Sequence, residues 1–244
     1  MTAIAIKNLK KVYKDVTAVD GLSLEINEGE LFSLLGVNGA GKTTTIKMLS
    51  TLVSPSGGDA EILGHSILKD PNAVKQVIDI SMQETAVARK LTVKENIDFY
   101  ARLSGQNAQE IQISKQAVYD IFGLDSVRDR QAQKLSGGWQ RKLSIALALV
   151  SRPKVLFLDE PTLGLDVLAR RELWKAIQAL KGSMTIILTT HYMEEAEALS
   201  DRIGIMQSGK LLFAGTKEAL FEQSGKQNVE EAFLHMVSGG VFDA

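Results

Sequence analysis

The chain has 244 residues, 45% of them hydrophobic and 23% charged, with a formal net charge of -1 and no cysteine. That is ample apolar material for one large domain or two small ones. A balanced charge with no basic stripe argues against a nucleic-acid partner, and the lack of cysteine excludes disulfides, thiolate metal sites and cysteine nucleophiles.

Met1 to Leu9 has no long apolar stretch after a basic cluster, so no signal peptide is expected. The stretch to about Asn27 reads as strands, with Leu22, Leu24 and Ile26 alternating with polar residues. Leu31 to Leu35 is a compact apolar strand, followed by a glycine-rich loop and a helix from about Lys42 to Leu49. Pro55 to Asp59 reads as a turn, and Val77 to Ile80 as an apolar strand. Thr92, with Glu95 three residues later, predicts a capping box opening a helix to Leu103. Ala108 to Phe122 and Ser136 to Val150 also read as helices, so residues 84–150 form a mostly helical insertion.

Strands and helices alternate again afterwards. Lys154–Asp159, Met184–Thr190 and Arg202–Met206 read as strands, and Leu168–Leu180 and Met193–Leu199 as helices. One or two short helices fill the tail at 216–244. Short buried strands alternating with helices predict an α/β fold with a parallel sheet covered on both faces. The longest apolar runs, such as Ile145 to Val150, are far too short to cross a bilayer.

Gly36-Val37-Asn38-Gly39-Ala40-Gly41-Lys42-Thr43 matches G-x-x-x-x-G-K-[ST], between a strand and a helix as that motif requires. Glycines let backbone N–H groups converge on phosphate oxygens, and the helix adds the positive end of its dipole. Lys42 would bring a charge to the outer phosphates of ATP, and the Thr43 hydroxyl would ligate Mg²⁺, with Thr44 beside it. Val155-Leu156-Phe157-Leu158 ends on Asp159 and Glu160, which point different ways if strand alternation continues. Beside a phosphate loop, Asp159 is assigned to Mg²⁺ and Glu160 to positioning and deprotonating the attacking water.

Leu135-Ser136-Gly137-Gly138-Trp139 opens a helix, with Ser136 as N-cap. On the residues alone it is either a plain capped helix or a second anion site. Met184 to Thr190 ends in His191; a lone histidine at a strand end is more often structural. The phosphate loop, the L-S-G-G box, the strand ending in Asp-Glu and this histidine resemble, in kind and order, the ATP-binding subunits of ABC (ATP-binding cassette) transporters, over essentially the whole chain.

The resemblance implies a single nucleotide-binding domain with a P-loop NTPase (RecA-like) core, an antiparallel β subdomain and a helical subdomain. It implies ATP hydrolysis in a head-to-tail dimer with a second ABC ATPase subunit, where Ser136 and Gly138 contact the γ-phosphate held by the partner's loop. His191 resembles the switch histidine, and Gln83 the glutamine that contacts Mg²⁺ and water. Tyr13 resembles the aromatic that stacks on adenine, although half-buried sheet packing also accounts for it. Leu163-Gly164-Leu165-Asp166 resembles the D-loop at the dimer seam. Trp139 stands where the family usually has Gln, and Leu163 where it more often has Ser. Glu194, Glu195 and Glu197 read as a solvated helix face, and His65 and His235 as surface or packing residues.

A transporter role implies an integral membrane permease as partner and a peripheral position on the cytoplasmic face of the membrane. Gly164 to Val167, Thr189 to Glu197 and the Gly209-Lys210…Gly215-Thr216 ending resemble the bacterial branch that exports drugs, antibiotics and lipids. The alternative is a soluble ABC ATPase serving an assembly machine such as cluster assembly. A nucleotide sensor without turnover would lack Glu160 or His191, and both are present.

Overall fold

The computed structural model describes residues 1–239; residues 240–244 of the expected tail lie outside them. The chain opens with β1 (Thr2–Tyr13) and β2 (Val16–Asn27), an antiparallel pair. Next come β3 (Leu31–Leu35), α1 (Lys42–Leu49), β4 (Gly57–Ile62), β5 (His65–Ser66), α2 (Pro71–Val77) and β6 (Ile78–Ser81). Three helices follow, α3 (Val93–Leu103), α4 (Ala108–Phe122) and α5 (Gly137–Leu149). The chain then alternates through β7 (Val155–Asp159), α6 (Val167–Gln178), β8 (Thr185–Thr190), α7 (Met193–Leu199) and β9 (Arg202–Gln207). It closes on β10 (Lys210–Gly215), α8 (Lys217–Ser224) and α9 (Val229–Ser238). Among the described residues no helix is long and apolar enough to cross a membrane.

Two sheets organise the molecule. The antiparallel sheet runs β2-β1-β4-β5, and the six-stranded sheet runs β10-β9-β3-β8-β7-β6. In the latter, β9, β3, β8, β7 and β6 are parallel and only β10 is antiparallel. Each strand serves two cores by alternation. Val155 and Phe157 pack with Phe32, α1 and the antiparallel sheet, whereas Leu156 and Leu158 pack with Leu31 and the helices α3 to α6. A third core joins Leu35, Ile203 and Ile205 to α7, α8 and α9. Burial on both faces explains why these strands read as continuous apolar runs.

Most expected elements appear where the sequence puts them. Thr92 caps α3 in a capping box: its hydroxyl accepts from Glu95 N at 3.1 Å, and Thr92 N donates to Glu95 at 2.7 Å. Three expectations need correction. Gly57 to Asp59, read as part of a turn, begins β4, because Gly58 at φ +73° lets the strand pass close against the Asn8 carbonyl. Val77 ends α2, and the strand begins only at Ile78. Asp79 lies within that strand; burial raises its pKa, and Ser151 donates a hydrogen bond to it at 2.9 Å. Glu195 is fully buried, not solvated, and accepts the Trp174 indole N–H at 2.9 Å.

Candidate active site

The phosphate loop follows β3, at the carboxyl end of the parallel sheet. Gly36 donates its N–H to the Thr190 carbonyl at 3.2 Å, tying the loop to β8. An added Cβ at Gly36 would lie 2.5 Å from the Met206 carbonyl oxygen, so only glycine lets the chain leave the sheet here. Gly41, the N-cap of α1, has φ 105°, and a Cβ there would collide with the Ala18 carbonyl. No side chain caps α1, and first-turn N–H groups have no partner within a helix. The amides of Lys42 to Thr44 therefore face an anion site.

Two charged chains meet beside the loop. Thr43 donates its hydroxyl to Asp159 Oδ1 at 3.0 Å, and Thr189 donates to the same oxygen at 2.6 Å. Among the described residues, Asp159 Oδ2 is buried without a partner. Lys42 Nζ lies 3.5 Å from Glu160 Oε1 and donates to the Gly36 and Val37 carbonyls at 2.7 and 3.1 Å. Burial pulls the Lys42 pKa down, and the Glu160 carboxylate opposes it. Glu160 Oε2 lies 2.8 Å from His191 Nδ1. Towards an ionised Glu160 carboxylate, that nitrogen acts as the donor.

The divergence of Asp159 and Glu160 has a different origin from the one expected. β7 ends at Asp159, and Glu160 takes φ +46°, a left-handed conformation costing about 1–2 kcal/mol for a residue with a Cβ. The turn, rather than strand alternation, sends one carboxylate to Thr43 and the other to Lys42 and His191. Glu160 N is held by the Thr189 carbonyl and hydroxyl, each at 3.1 Å.

A cleft of about 560 Å³ brings together Tyr13, Asn38 to Thr44, Gln83 and Glu160. Tyr13 is half exposed there, with Lys11 Nζ 5.0 Å from its ring centre. Val16, Thr17, Ala18 and Ser208 also line it. These were not legible, because their position depends on β2 and the β9–β10 turn reaching the loop from distant sequence. Ser136 and Gly138 do not line this cleft. Ser136 stands at the N-cap of α5 as expected, but its side chain makes no capping hydrogen bond and is exposed. Trp139 packs against the helical core, under Lys142 at 4.5 Å. A larger cleft, about 770 Å³, lies by Ser114, Arg152, Lys154 and Thr185 and touches no phosphate-loop residue.

Comparison with known proteins agrees with this geometry. The sequence model of the ABC transporter family matches residues 19–163. The daunorubicin/doxorubicin resistance ATP-binding protein DrrA of Streptomyces peucetius is 41% identical over 234 residues, 96% of this chain and 71% of that protein. The phospholipid-transporting ATPase ABCA3 of Homo sapiens is 42% identical over 229 residues, 92% of this chain but 13% of that protein. A solved ATP-binding subunit of an ABC transporter superposes with a TM-score of 0.86 at 26% identity, over 96% of this chain and 99% of its own. The cbiO1 protein of Clostridium perfringens, part of the ABC transporter complex cbiONQ, gives 0.81 at 27% identity over 91% of each chain. With the P-loop α/β fold and the phosphate cleft, these likenesses establish that the chain belongs to the ABC transporter family, as an ATP-binding subunit that hydrolyses ATP to drive transport.

Proposed function

We propose that this subunit powers an exporter, working as a dimer with a second ABC ATPase subunit, identical or different, beneath a separate membrane-spanning permease. It sits on the cytoplasmic face of the membrane as one nucleotide-binding domain, with residues 84–150 as its helical subdomain. Support for export comes from the relatives named as drug-resistance ATP-binding proteins. Support for a permease comes from cbiO1, part of a transporter complex.

The chain running from Lys42 through Glu160 to His191 carries the mechanism. Phosphate oxygens entering the loop compete with Glu160 for Lys42, and with the Gly36 and Val37 carbonyls. Glu160, relieved of that ion pair, accepts a proton from the attacking water, and His191 holds its other oxygen. Tyr13 offers a ring face to the adenine. The unpartnered Asp159 Oδ2 and the Thr43 hydroxyl are hard oxygen donors that fit Mg²⁺, with Gln83 in the same cleft. When bound, that ion neutralises charge on the transferring phosphoryl group. Ser136, exposed, and Gly138, partly buried, both outside the cleft, serve the nucleotide of the opposite subunit.

Glu160→Gln keeps the shape of the site and removes its base. The expected result is retained ATP binding, turnover cut to a small residual rate, and a dimer on gel filtration with ATP. Continued turnover refutes the role of Glu160, and a monomer counts against a shared site. Lys42→Ala is expected to lose ATP binding. Pull-down of the tagged chain from solubilised membranes is expected to recover a multi-spanning protein; soluble partners alone would refute the transporter assembly.

A further inference from the structure

The best-connected side chain near the site lies outside every motif assigned above. Arg141, in the second turn of α5, is 3% exposed. Its Nη2 donates to the Asp159 carbonyl at 2.8 Å, and its Nε donates to the Pro161 carbonyl at 2.8 Å. Those two carbonyls bracket Glu160, the residue in a left-handed conformation. Its Nη1 donates to the Met82 carbonyl and to the Gln83 carbonyl, the latter at 3.2 Å. One planar guanidinium thus joins the helix that starts at Ser136, the loop carrying Gln83 and the turn carrying Glu160.

A fork of five fixed donors can serve the four carbonyls of Asp159, Pro161, Met82 and Gln83 at once, whereas an ammonium has three donors on a flexible stem. The group stays charged at neutral pH: burial lowers its pKa to about 10, and the Asp159 and Glu195 carboxylates hold it up. A left-handed glutamate persists only where its surroundings over-determine it. Glu160 N is already fixed by Thr189, so the flanking carbonyls are the remaining freedom.

We propose that Arg141 is a positioning residue for hydrolysis: by holding the carbonyls on both sides of Glu160 and the backbone of Gln83, it sets the Glu160 carboxylate and couples it to movement of the helix that begins at Ser136. This rests on Glu160 being the group that activates water. Arg141 does not line the phosphate cleft, so its loss spares binding and slows chemistry.

The test uses the full chain with Arg141→Gln and Arg141→Lys, each alone and combined with Glu160→Gln. ATPase kcat and KM are measured, normalised to the stoichiometry of bound ATP, and thermal melting monitors folding. Arg141→Gln is expected to lower kcat roughly 10- to 100-fold, the scale of a misplacement near 1 Å, with KM changed less than about twofold. Arg141→Lys is expected to recover part of that loss. On the Glu160→Gln background neither variant is expected to lower the residual rate further. An unchanged kcat, or the same fold-loss on both backgrounds, overturns the proposal. Should Arg141→Gln fail to fold, Arg141→Lys decides by the same comparison. Full turnover by Glu160→Gln alone overturns the underlying role of Glu160, and is visible before any Arg141 variant is made.

Discussion

Thr189 holds both acidic residues at once, and replacing it with valine isolates that work. The side chain is fully buried, and valine keeps its branched outline while lacking the hydroxyl. What disappears is the 2.6 Å hydrogen bond to Asp159 Oδ1, together with the 3.1 Å bond from Glu160 N, leaving the Asp159 carboxylate the Thr43 hydroxyl at 3.0 Å. Glu160 N keeps the Thr189 carbonyl at 3.1 Å. A hydrogen bond to a charged group contributes about 1.5–3 kcal/mol, so Thr189→Val is expected to cost about 2 kcal/mol. For a chain of this size that lowers the melting temperature by roughly 4–8 °C. Thr189→Ser keeps the hydroxyl and deletes one methyl, for about 0.8 kcal/mol and therefore roughly half the shift or less. The assay is thermal denaturation followed by circular dichroism, without nucleotide. A Thr189→Val protein melting within 1 °C of wild type, or above Thr189→Ser, would refute the reasoning, because the hydroxyl would then not be supporting Asp159.

Two further outcomes follow from the geometry. Gly41→Ala forces a Cβ into the Ala18 carbonyl at a backbone angle that suits glycine, so it is expected to abolish the rise in melting temperature that ATP gives wild type; an unchanged rise would mean the loop tolerates the distortion. Burial raises the Glu195 pKa above the usual 4.5, so its folded-state proton stabilises the fold fully at low pH, and that contribution is lost as pH rises from about 4.5 through the raised value. Glu195→Gln removes this loss, so its melting temperature relative to wild type is expected to climb between pH 4 and neutrality; parallel curves for the two proteins would contradict it.

What the sequence made legible was local. The phosphate loop, the Thr92 capping box and the ends of α4 and α7 depend on residues within one turn or loop of each other, and they stand as expected. β4 was hidden because Gly57, Gly58 and Asp59 carry turn chemistry, and its strand character comes from pairing with β1. β10 was passed over although Phe213 and its partner Ile205 pack into the third core. The burial of Glu195 had a signal: it lies four residues before Leu199 and beside Ala196, on the apolar stripe of α7. Acidic residues in a first turn usually serve the helix dipole, and that reading masked it. The left-handed turn at Glu160 and the reach of Arg141 involve contacts across 18 to 59 positions of sequence, which no local pattern encodes.

The ladder positions of the parallel sheet make the site a fixed gauge. Leu35, where the phosphate loop departs, pairs with Thr190, and Asp159 pairs with Thr189. The loop, the histidine and the two carboxylates thus spring from three adjoining strands set about 4.8 Å apart by backbone hydrogen bonds. Such a frame neither stretches nor slides by less than a residue. A nucleotide that loses its terminal phosphate is therefore read against a frame that does not yield with it.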